Sequence, residues 1–382
     1  MVRQRANGEG TVYPRRNKQG KIISYRASYW ARTASGGLKR RYVSGKTKTE
    51  ALSALRKATV DRDGGLVFEV ENITLAEYLD RWLNGPVKTK NLKAITYEQY
   101  QRQVRVHIVP SLGRVKLRNL SPELVQDLYD SKIAAGLKPA SVRYIHAVLH
   151  NALEHAHKRR LIPENVASKT DPPRVRPPEI QPLDAEQTRT LLDAARTEPL
   201  GSLYVVAVTS GLRIGELLAL RWMDVDLEQG VMRVSRTLSR AKGGPRFTTP
   251  KNGKGRPVTL TREAIEALRS HRKDQNEVRL KLGTLWEDNG LIFASETGAP
   301  LTRDFVDRRS FKPLLKRARL PEKRLHDLRH TCATLLLGQG VHPTLVQKLL
   351  GHASVVMTLN RYSHWMPSMG DQTARAMEAA LR

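Results

Sequence analysis

The chain has 382 residues, with 66 Lys and Arg against 37 Asp and Glu and a formal net charge of +29. The length indicates two or three domains. The positive charge is spread along the whole chain, which favours a long nucleic acid as partner; the alternative is a passive cationic surface. The single cysteine, Cys332, excludes an intrachain disulfide and a cysteine-ligated zinc site. No apolar run reaches the roughly 20 residues of a membrane span. We therefore expect a cytoplasmic protein with no membrane contact.

Residues 1–63 are the most basic section, with 16 Lys and Arg and 4 Asp and Glu. Short runs of β-branched and aromatic residues begin at Thr11, Ile22 and Leu38 and are separated by turn residues, which predicts three antiparallel strands. A helical pattern at 47–59 follows them. Such a sheet can place basic side chains in a DNA groove, and the alternative is a basic tail packed on the main body. The candidate DNA contacts are Arg15, Arg16, Lys18, Arg26, Arg40 and Arg41.

A second section carries four amphipathic stripes, which predict a compact helical bundle. The stripes run through Leu75 to Leu83, Tyr97 to Ile108, Leu124 to Ile133 and Val142 to Ala156. Its basic positions can contact phosphates, although most charged helix faces are only solvated. The candidate DNA contacts here are Arg102, Arg105, Lys138 and Arg143. We predict no metal site at the four clustered histidines, because no acid or cysteine completes a ligand pattern.

Five prolines between Pro172 and Pro182 prevent a helix and predict an extended connector. Together with the Gly64-Gly65 break, this gives a domain at 1–63, a helical domain at 72–168, a linker at 169–182 and a larger domain at 183–382.

Arg213 interrupts the apolar helical pattern of Leu212, Leu217 and Leu218. A buried arginine is costly unless it is paired, so the sequence predicts either Glu216, one turn on, or a bound phosphate as its partner. Pairing for structure alone remains the default for one isolated arginine.

The next stretch alternates like strands at 231–237 and 256–260, around a basic turn that contains Lys251 and Lys254. A lysine at a hairpin tip can enter a groove or donate a proton, but more often it is only exposed. A helix is predicted from Arg262 to Leu282, and a short strand at Leu291 to Phe293.

The densest set of polar groups lies between Leu325 and Tyr362. His326 and Arg329 are three residues apart, so on a helix they share a face and can converge on one anion. A phosphate fits, because an arginine offers a planar fork of donors and a histidine can donate, accept or carry a proton. Tyr362 ends the stretch as a possible nucleophile.

Taken together, these motifs resemble the tyrosine recombinases of the phage integrase type. The resemblance lies in Gly-Leu-Arg213-Ile-Gly-Glu, Thr-Pro-Lys251, His326-Asp-Leu-Arg329-His-Thr, Leu-Gly-His352 and the later Tyr362, in that order. The resemblance implies a multidomain α+β protein: an arm-type DNA-binding domain with a small three-stranded sheet and a helix, a helical core-binding bundle, and a mainly α catalytic domain with a small antiparallel sheet.

The resemblance also implies a role for each site residue. Tyr362 would attack a DNA phosphodiester to form a 3′-phosphotyrosine, and Arg213 and Arg329 would hold the phosphate oxygens. His326 would assist proton transfer from the tyrosine, and His352 would donate to the phosphate. Lys251 would protonate the leaving 5′ oxygen, with Lys254 as the alternative, and Glu216 would orient Arg213. We interpret His330 and His364 as packing or supporting groups, and we expect no cofactor.

The implied function is site-specific DNA recombination through a Holliday junction, integrating or excising phage or other mobile DNA. Expected partners are double-stranded DNA attachment sites, three further copies of the chain in a homotetramer, an accessory DNA-bending protein and an excisionase, in the nucleoid of a bacterial host. The alternatives are a non-catalytic DNA-binding regulator, a transposon or plasmid-resolution recombinase and a topoisomerase. A short tail helix after residue 373 would dock on its own domain or on a neighbour.

Overall fold

A computed structural model describes residues 11–32, 38–63, 73–90, 92, 94–175, 181–241, 244–249, 255–363 and 377–381. The chain divides into two compact units, Met1–Pro177 and Pro178–Arg382. The division falls inside the stretch for which the sequence predicts a linker.

The first unit begins with a three-stranded antiparallel sheet in the order β1-β2-β3. Its strands are β1 (Thr11–Arg16), β2 (Ile22–Arg32) and β3 (Leu38–Gly45), and helix α1 (Lys48–Asp63) follows. Alternate residues of β2 are buried against Leu55 and Ala58 of α1, as the period of two in a strand requires. The predicted sheet and helix are confirmed.

The rest of the unit is a helical bundle around one apolar core. Thr74 begins it with a capping box, in which its hydroxyl accepts from Glu77 N and the Glu77 carboxylate accepts from Thr74 N. Tyr78 crosses the core and donates a 2.7 Å hydrogen bond to Ala152 O. The helices are α2 (Leu75–Trp82), α3 (Ala94–Arg102), α4 (Val109–Leu112), α5 (Pro122–Ala134) and α6 (Pro139–Lys158), with π-helical turns at Leu83–Val87 and Gln103–Ile108.

The second unit packs helices around α8, which is buried along most of its length because it is almost wholly apolar. Its helices are α7 (Ala185–Ala195), α8 (Gly201–Ser210), α9 (Ile214–Leu217), α10 (Arg262–Leu282), α11 (Arg303–Phe305), α12 (Lys312–Arg317), α13 (Asp327–Gly338), α14 (Pro343–Leu350) and α15 (Val355–Tyr362).

Two small antiparallel sheets complete this unit. Strands β4 (Val225–Asp226), β5 (Val231–Val234) and β8 (Arg256–Thr259) form one sheet, and β6 (Thr237–Ala241) and β7 (Gly244–Thr248) form a hairpin. The predicted strand at 291–293 is wrong, since Leu291 makes only an isolated bridge with Arg221. The segment leaves Gly290 in a left-handed turn and then packs as buried irregular chain.

Helices α13, α14 and α15 enclose a small separate core of Ala333, Leu337, Val346, Leu350 and Tyr362. Most of the predicted tail helix lies outside the described residues, which resume with a helical turn at 377–380. Across the described ranges, no helix is long and apolar enough to cross a membrane.

Candidate active site

Gly211 ends α8 and sets the position of Arg213. Its φ of +61° is left-handed, and a Cβ there would stand 2.5 Å from Leu350 Cδ2 and 3.1 Å from Cys332 Sγ, so only glycine fits. The chain therefore leaves the helix, and Arg213 is extended, with φ −70° and ψ 145°, just before α9. The helical placement predicted for Arg213 is wrong for this reason.

A buried carboxylate holds two arginines together. Glu216, which is 2% exposed, accepts from Arg213 Nη1 at 2.9 Å and from Arg256 Nη2 at 2.8 Å. Burial alone would raise the pKa of Glu216, but the hydrogen bonds and charges of Arg256 and then Arg213 lower it overall. Glu216 is thus a fixed anion between two cations.

Main-chain carbonyls complete the setting of these two arginines. Arg213 Nη2 donates to Gly351 O at 3.2 Å, and Arg256 Nε donates to Leu349 O at 3.0 Å. Both carbonyls lie at the end of α14, where the last carbonyls of a helix lack partners within it. The arginines therefore tie the α8–α9 junction and β8 to the turn that carries His352.

Arg329 on α13 is almost wholly buried, with 3% exposure. Its Nη1 donates to Gly211 O at 2.7 Å, whereas within the described ranges its buried Nη2 has no hydrogen-bond partner. Burial and the nearby charge of Arg213 lower the pKa of Arg329 to about 10. A buried donor without a partner beside a second cation is a position where an anion would be strongly stabilised.

Two of the predicted histidines lie next to these arginines. His352 Nδ1 shares a 2.8 Å hydrogen bond with Thr358 Oγ1, which leaves Nε2 for another partner. Burial and the charges of Arg329 and Arg213 lower the pKa of His352 to about 4. Burial and Arg329 do the same for the pKa of His326, to about 4. Both rings are therefore neutral at pH 7.

Tyr362, at the end of α15, has 0% exposure. Its hydroxyl lies 2.6 Å from His330 Nδ1, and its ring stacks on that of His352 with 6.5 Å between centroids. Burial raises the pKa of Tyr362 to about 12, although the nearby charges of Arg329 and Arg361 act in the opposite direction. The phenol is protonated at pH 7 and shares this hydrogen bond with His330, whose tautomer sets which group donates.

The structure thus brings together most of the predicted site residues: Arg213, Glu216, His326, Arg329, His352 and Tyr362. Lys251, Lys254 and His364 lie outside the described residues.

Arg256 was not predicted, and the only sequence signal for it is a charge at the start of a strand that follows a basic turn. For His330 we predicted a packing or supporting role, and the structure gives it a hydrogen bond to the phenol itself.

The basic candidates of the first unit lie apart from this site along the chain. Arg15, Arg26 and Arg40 share the open face of the sheet with Trp30 and Tyr42, and Arg26 Cζ stands 4.0 Å from the centre of the Tyr42 ring. Arg16 ends β1 beside a bulge, and Lys18 lies in the next turn.

The remaining candidates divide between the two faces of the sheet and the bundle. Arg41 pairs with Tyr29, so it lies on the face that packs on α1. The four bundle candidates, Arg102, Arg105, Lys138 and Arg143, are all exposed.

Comparison with known proteins identifies the family. Residues 181–368 match the phage integrase family, and residues 74–133 match the phage integrase N-terminal SAM-like domain. An integrase of Streptomyces ambofaciens is 30% identical, with 95% of this chain and 94% of that protein covered.

Two groups of solved structures share the fold. An integrase of the Tn1549 transposon in complex with transposon right end DNA has a TM-score of 0.67 at 22% identity, with 81% of this chain and 100% of that chain covered. A lambda integrase tetramer bound to a Holliday junction has a TM-score of 0.59 at 20% identity, with 96% of this chain and 97% of that chain covered. The chain belongs to the phage integrase family of tyrosine recombinases, which cleave and rejoin DNA strands.

Proposed function

We propose that this recombinase integrates or excises mobile DNA by cutting each strand with Tyr362 while Arg213 and Arg329 hold the phosphate. The single observation that carries the proposal is the buried Nη2 of Arg329, which has no partner among the described residues and lies near Arg213 and Tyr362. Burying a donor without a hydrogen bond destabilises the fold, and a bound ligand that accepts from the donor removes that penalty.

The cleavage step exchanges one phosphate ester for another. Tyr362 Oη attacks the phosphorus, the bond from phosphorus to the 5′ oxygen breaks, and the DNA 3′ end remains as a phosphotyrosine. Negative charge grows on the non-bridging oxygens, where the two arginines donate. Glu216 and the Gly351 carbonyl keep Arg213 aimed, so little reorganisation is needed during the reaction. Attack by a free 5′ hydroxyl on the phosphotyrosine reverses the step and seals the strand.

The proton transfers follow the family resemblance. His352, whose Nδ1 is engaged by Thr358, would donate through Nε2 to a phosphate oxygen. His326 would assist removal of the phenol proton. Lys251 would protonate the departing 5′ oxygen, with Lys254 on the same turn as the alternative. Both lysines precede β8, whose first residue, Arg256, is anchored to Glu216.

Recombination then needs two DNA attachment sites and four copies of the chain, joined through a Holliday junction. The fold shared with a lambda integrase tetramer on such a junction supports this assembly. Residues 1–63 would be the arm-type domain and 72–168 the core-binding domain, while 169–182 link them to the catalytic domain at 183–382. The basic candidates on the open face of the sheet and on the helical bundle would contact DNA phosphates.

Direction and place are also part of the proposal. An accessory DNA-bending protein and an excisionase would bring distant sites together and select between integration and excision. Because the substrate is chromosomal DNA, the reaction would take place in the nucleoid of a bacterial host.

The test is covalent trapping on a nicked attachment-site duplex, mapped beforehand by footprinting the wild type on DNA that flanks its gene. Wild type should form a complex that survives denaturation, whereas Tyr362→Phe should bind the duplex and form none. Tyr204→Phe is the matched control, because Tyr204 is also buried and donates its hydroxyl to Ser310 Oγ at 2.6 Å. A covalent complex with Tyr362→Phe would remove Tyr362 from the mechanism.

A further inference from the structure

The phenol of Tyr362 and the imidazole of His330 are in direct contact, and no step of the proposed function yet uses that contact. The two groups come from α15 and α13 and meet at 2.6 Å, a normal length for a strong hydrogen bond from a hydroxyl to a ring nitrogen. Tyr362 has 0% and His330 3% exposure, so water does not compete for the contact.

The contact fits one of the two tautomers of the neutral ring to the role inferred below. In that tautomer Nε2 carries the ring proton, and His330 Nδ1 accepts from the Tyr362 hydroxyl. Burial, and then the neighbouring His326, lower the pKa of His330 to about 4, so the ring is neutral at pH 7. A neutral imidazole whose lone pair points at the attacking hydroxyl has the geometry of a general base.

We infer that His330 is the proton acceptor for Tyr362 during DNA cleavage. This inference rests on the proposed function and reassigns to His330 the step that the family resemblance gives to His326. As Tyr362 Oη bonds to phosphorus, its proton moves to His330 Nδ1, while the departing 5′ oxygen takes a proton from the separate general acid. In resealing, the imidazolium returns its proton to Tyr362 Oη as the phosphotyrosine bond breaks.

In the free protein the phenol is a much weaker acid than the imidazolium, so the proton stays on Tyr362. A phenol with a pKa of about 12 does not give its proton to a ring with a pKa of about 4. A phosphate on Arg213 and Arg329 would add negative charge next to both groups, which favours the imidazolium and neutralises part of the positive charge that lowers its pKa. As the phenol oxygen bonds to phosphorus, the phenol becomes a far stronger acid, so the difference between the pKa values of Tyr362 and His330 disappears during the reaction.

Other charged groups around His330 act on the same equilibrium. On the α13 side these are His326, whose ring centre is 5.1 Å away, together with Asp327 and Arg324, and on α15 they are Arg361 and Tyr362 itself. Asp327 raises the pKa of His330, whereas His326, Arg361 and Arg324 lower it. His326 is neutral at pH 7, and its protonation at lower pH would lower the pKa of His330 further.

The experiment measures single-turnover formation of the covalent complex on the mapped, nicked attachment-site duplex. A second duplex carries sulfur at the bridging 5′ position, because a thiolate leaves without a proton and the remaining pH dependence reports the base alone. His330→Asn keeps a hydrogen-bond acceptor near the position of Nδ1 but cannot take up a proton, and His330→Ala removes both.

We expect both variants to lose about 100- to 10,000-fold in rate at pH 7.5, the usual contribution of a general base. On the sulfur duplex, the wild-type rate should fall at low pH as His330 is protonated and level off above. The His330→Asn rate should instead rise about tenfold per pH unit, since only the phenolate then attacks. His342→Asn, a substitution at an exposed residue that caps α14, should react like wild type.

Three results would overturn the inference. If His330→Asn reacts at the wild-type rate while His330→Ala does not, His330 only positions the hydroxyl. If both variants react at or above the wild-type rate, the hydrogen bond between Tyr362 and His330 exists only in the DNA-free protein and has no role in cleavage. If wild type shows no acidic limb on the sulfur duplex, no residue with the pKa of a histidine accepts the proton, a result that does not depend on how well either variant folds.

Failure of the proposed function looks different. It would appear as no covalent complex with wild type, or as a complex that persists in Tyr362→Phe, and the inference would fall with it.

Discussion

Arginines are used in two contrasting ways in this protein. On the N-terminal sheet, Arg40 and Arg15 are exposed, and Arg26 rests on the ring of Tyr42, which leaves their donors close to solvent. In the second unit, Arg213 and Arg256 are fixed by Glu216 and by main-chain carbonyls, and Arg329 is buried. The charge is the same, but only the second group has a defined direction.

Under the proposed function, this difference separates binding from catalysis. Exposed arginines contribute affinity by releasing counterions from DNA, and that contribution is sensitive to salt and tolerant of small displacements. Buried arginines contribute through donors that are already aimed at the charge of the transition state, so a small displacement is costly and salt matters little. Substitutions in the two regions should therefore affect different measurements.

Among the arginine substitutions, the largest effect is expected for Arg329→Lys. A lysine keeps the charge but cannot donate both to Gly211 O and to a phosphate with the planar fork of arginine. The rate of covalent complex formation should fall about 100- to 1,000-fold, while DNA affinity stays near the wild-type value.

Arg269→Lys is the matched control, because Arg269 forms an exposed ion pair with Glu228 on another part of the same unit. Equal losses of affinity and rate in Arg329→Lys would show that Arg329 contributes to binding and has no separate role in the chemical step.

A smaller effect on rate is expected for Arg256→Gln, which leaves Glu216 with Arg213 alone. Arg213 should then be less well aimed, and the cleavage rate should fall about tenfold, with a loss of about 3 kcal/mol in the free energy of unfolding. Arg236→Gln breaks another ion pair of the same unit, the one with Asp224, and should cost stability without slowing cleavage. Equal rates for the two variants would argue against a role for Arg256 in positioning.

For the sheet, Arg40→Gln should weaken DNA binding a few-fold and reduce the slope of log affinity against log salt by about 1, the value for one phosphate contact. Arg41→Gln should change neither, because the strand register places Arg41 opposite Tyr29 on the helix-covered face. The cleavage rate at saturating protein should not change in either variant. A larger slope change for Arg41→Gln would reverse the assignment of the DNA-facing side.

A further prediction concerns stability and pH. His326, His330 and His352 have folded pKa values of about 4 against about 6.5 when unfolded, so between these limits the unfolded chain binds more protons. The free energy of unfolding of the second unit should therefore fall as pH drops from 6.5 towards 4, and His330→Asn should reduce the slope. Hydrogen exchange at several pH values would measure this free energy. Residues 1–63 contain no histidine, so their stability should change little between pH 7 and 5.

Much of the fold follows from local pattern. The three N-terminal strands begin where the sequence predicts, and α10 has the predicted bounds, because alternation and amphipathic periodicity are properties of neighbouring residues. Leu291 to Phe293 are apolar and compatible with a strand, but the neighbour needed for pairing is set by the tertiary fold, which supplies one isolated bridge.

The site shows the same limit. The Arg213–Glu216 pair spans three residues and could be predicted from spacing. Arg256 reaches Glu216 across 40 residues and Leu349 across 93, and His330 meets Tyr362 across 32, so none of these contacts has a local signature. The partnerless Nη2 of Arg329 is likewise a property of the packed interior.

If Tyr362 is the nucleophile, the DNA of the covalent complex is bonded to its hydroxyl oxygen, and the most direct test is to identify the bonded atom. The covalent complex on a nicked attachment-site duplex can be digested with protease and nuclease, and the modified peptide sequenced by mass spectrometry. We expect a nucleotide linked through its 3′ phosphate to Tyr362. A nucleotide on any other side chain, or a link through the 5′ phosphate, would contradict the mechanism.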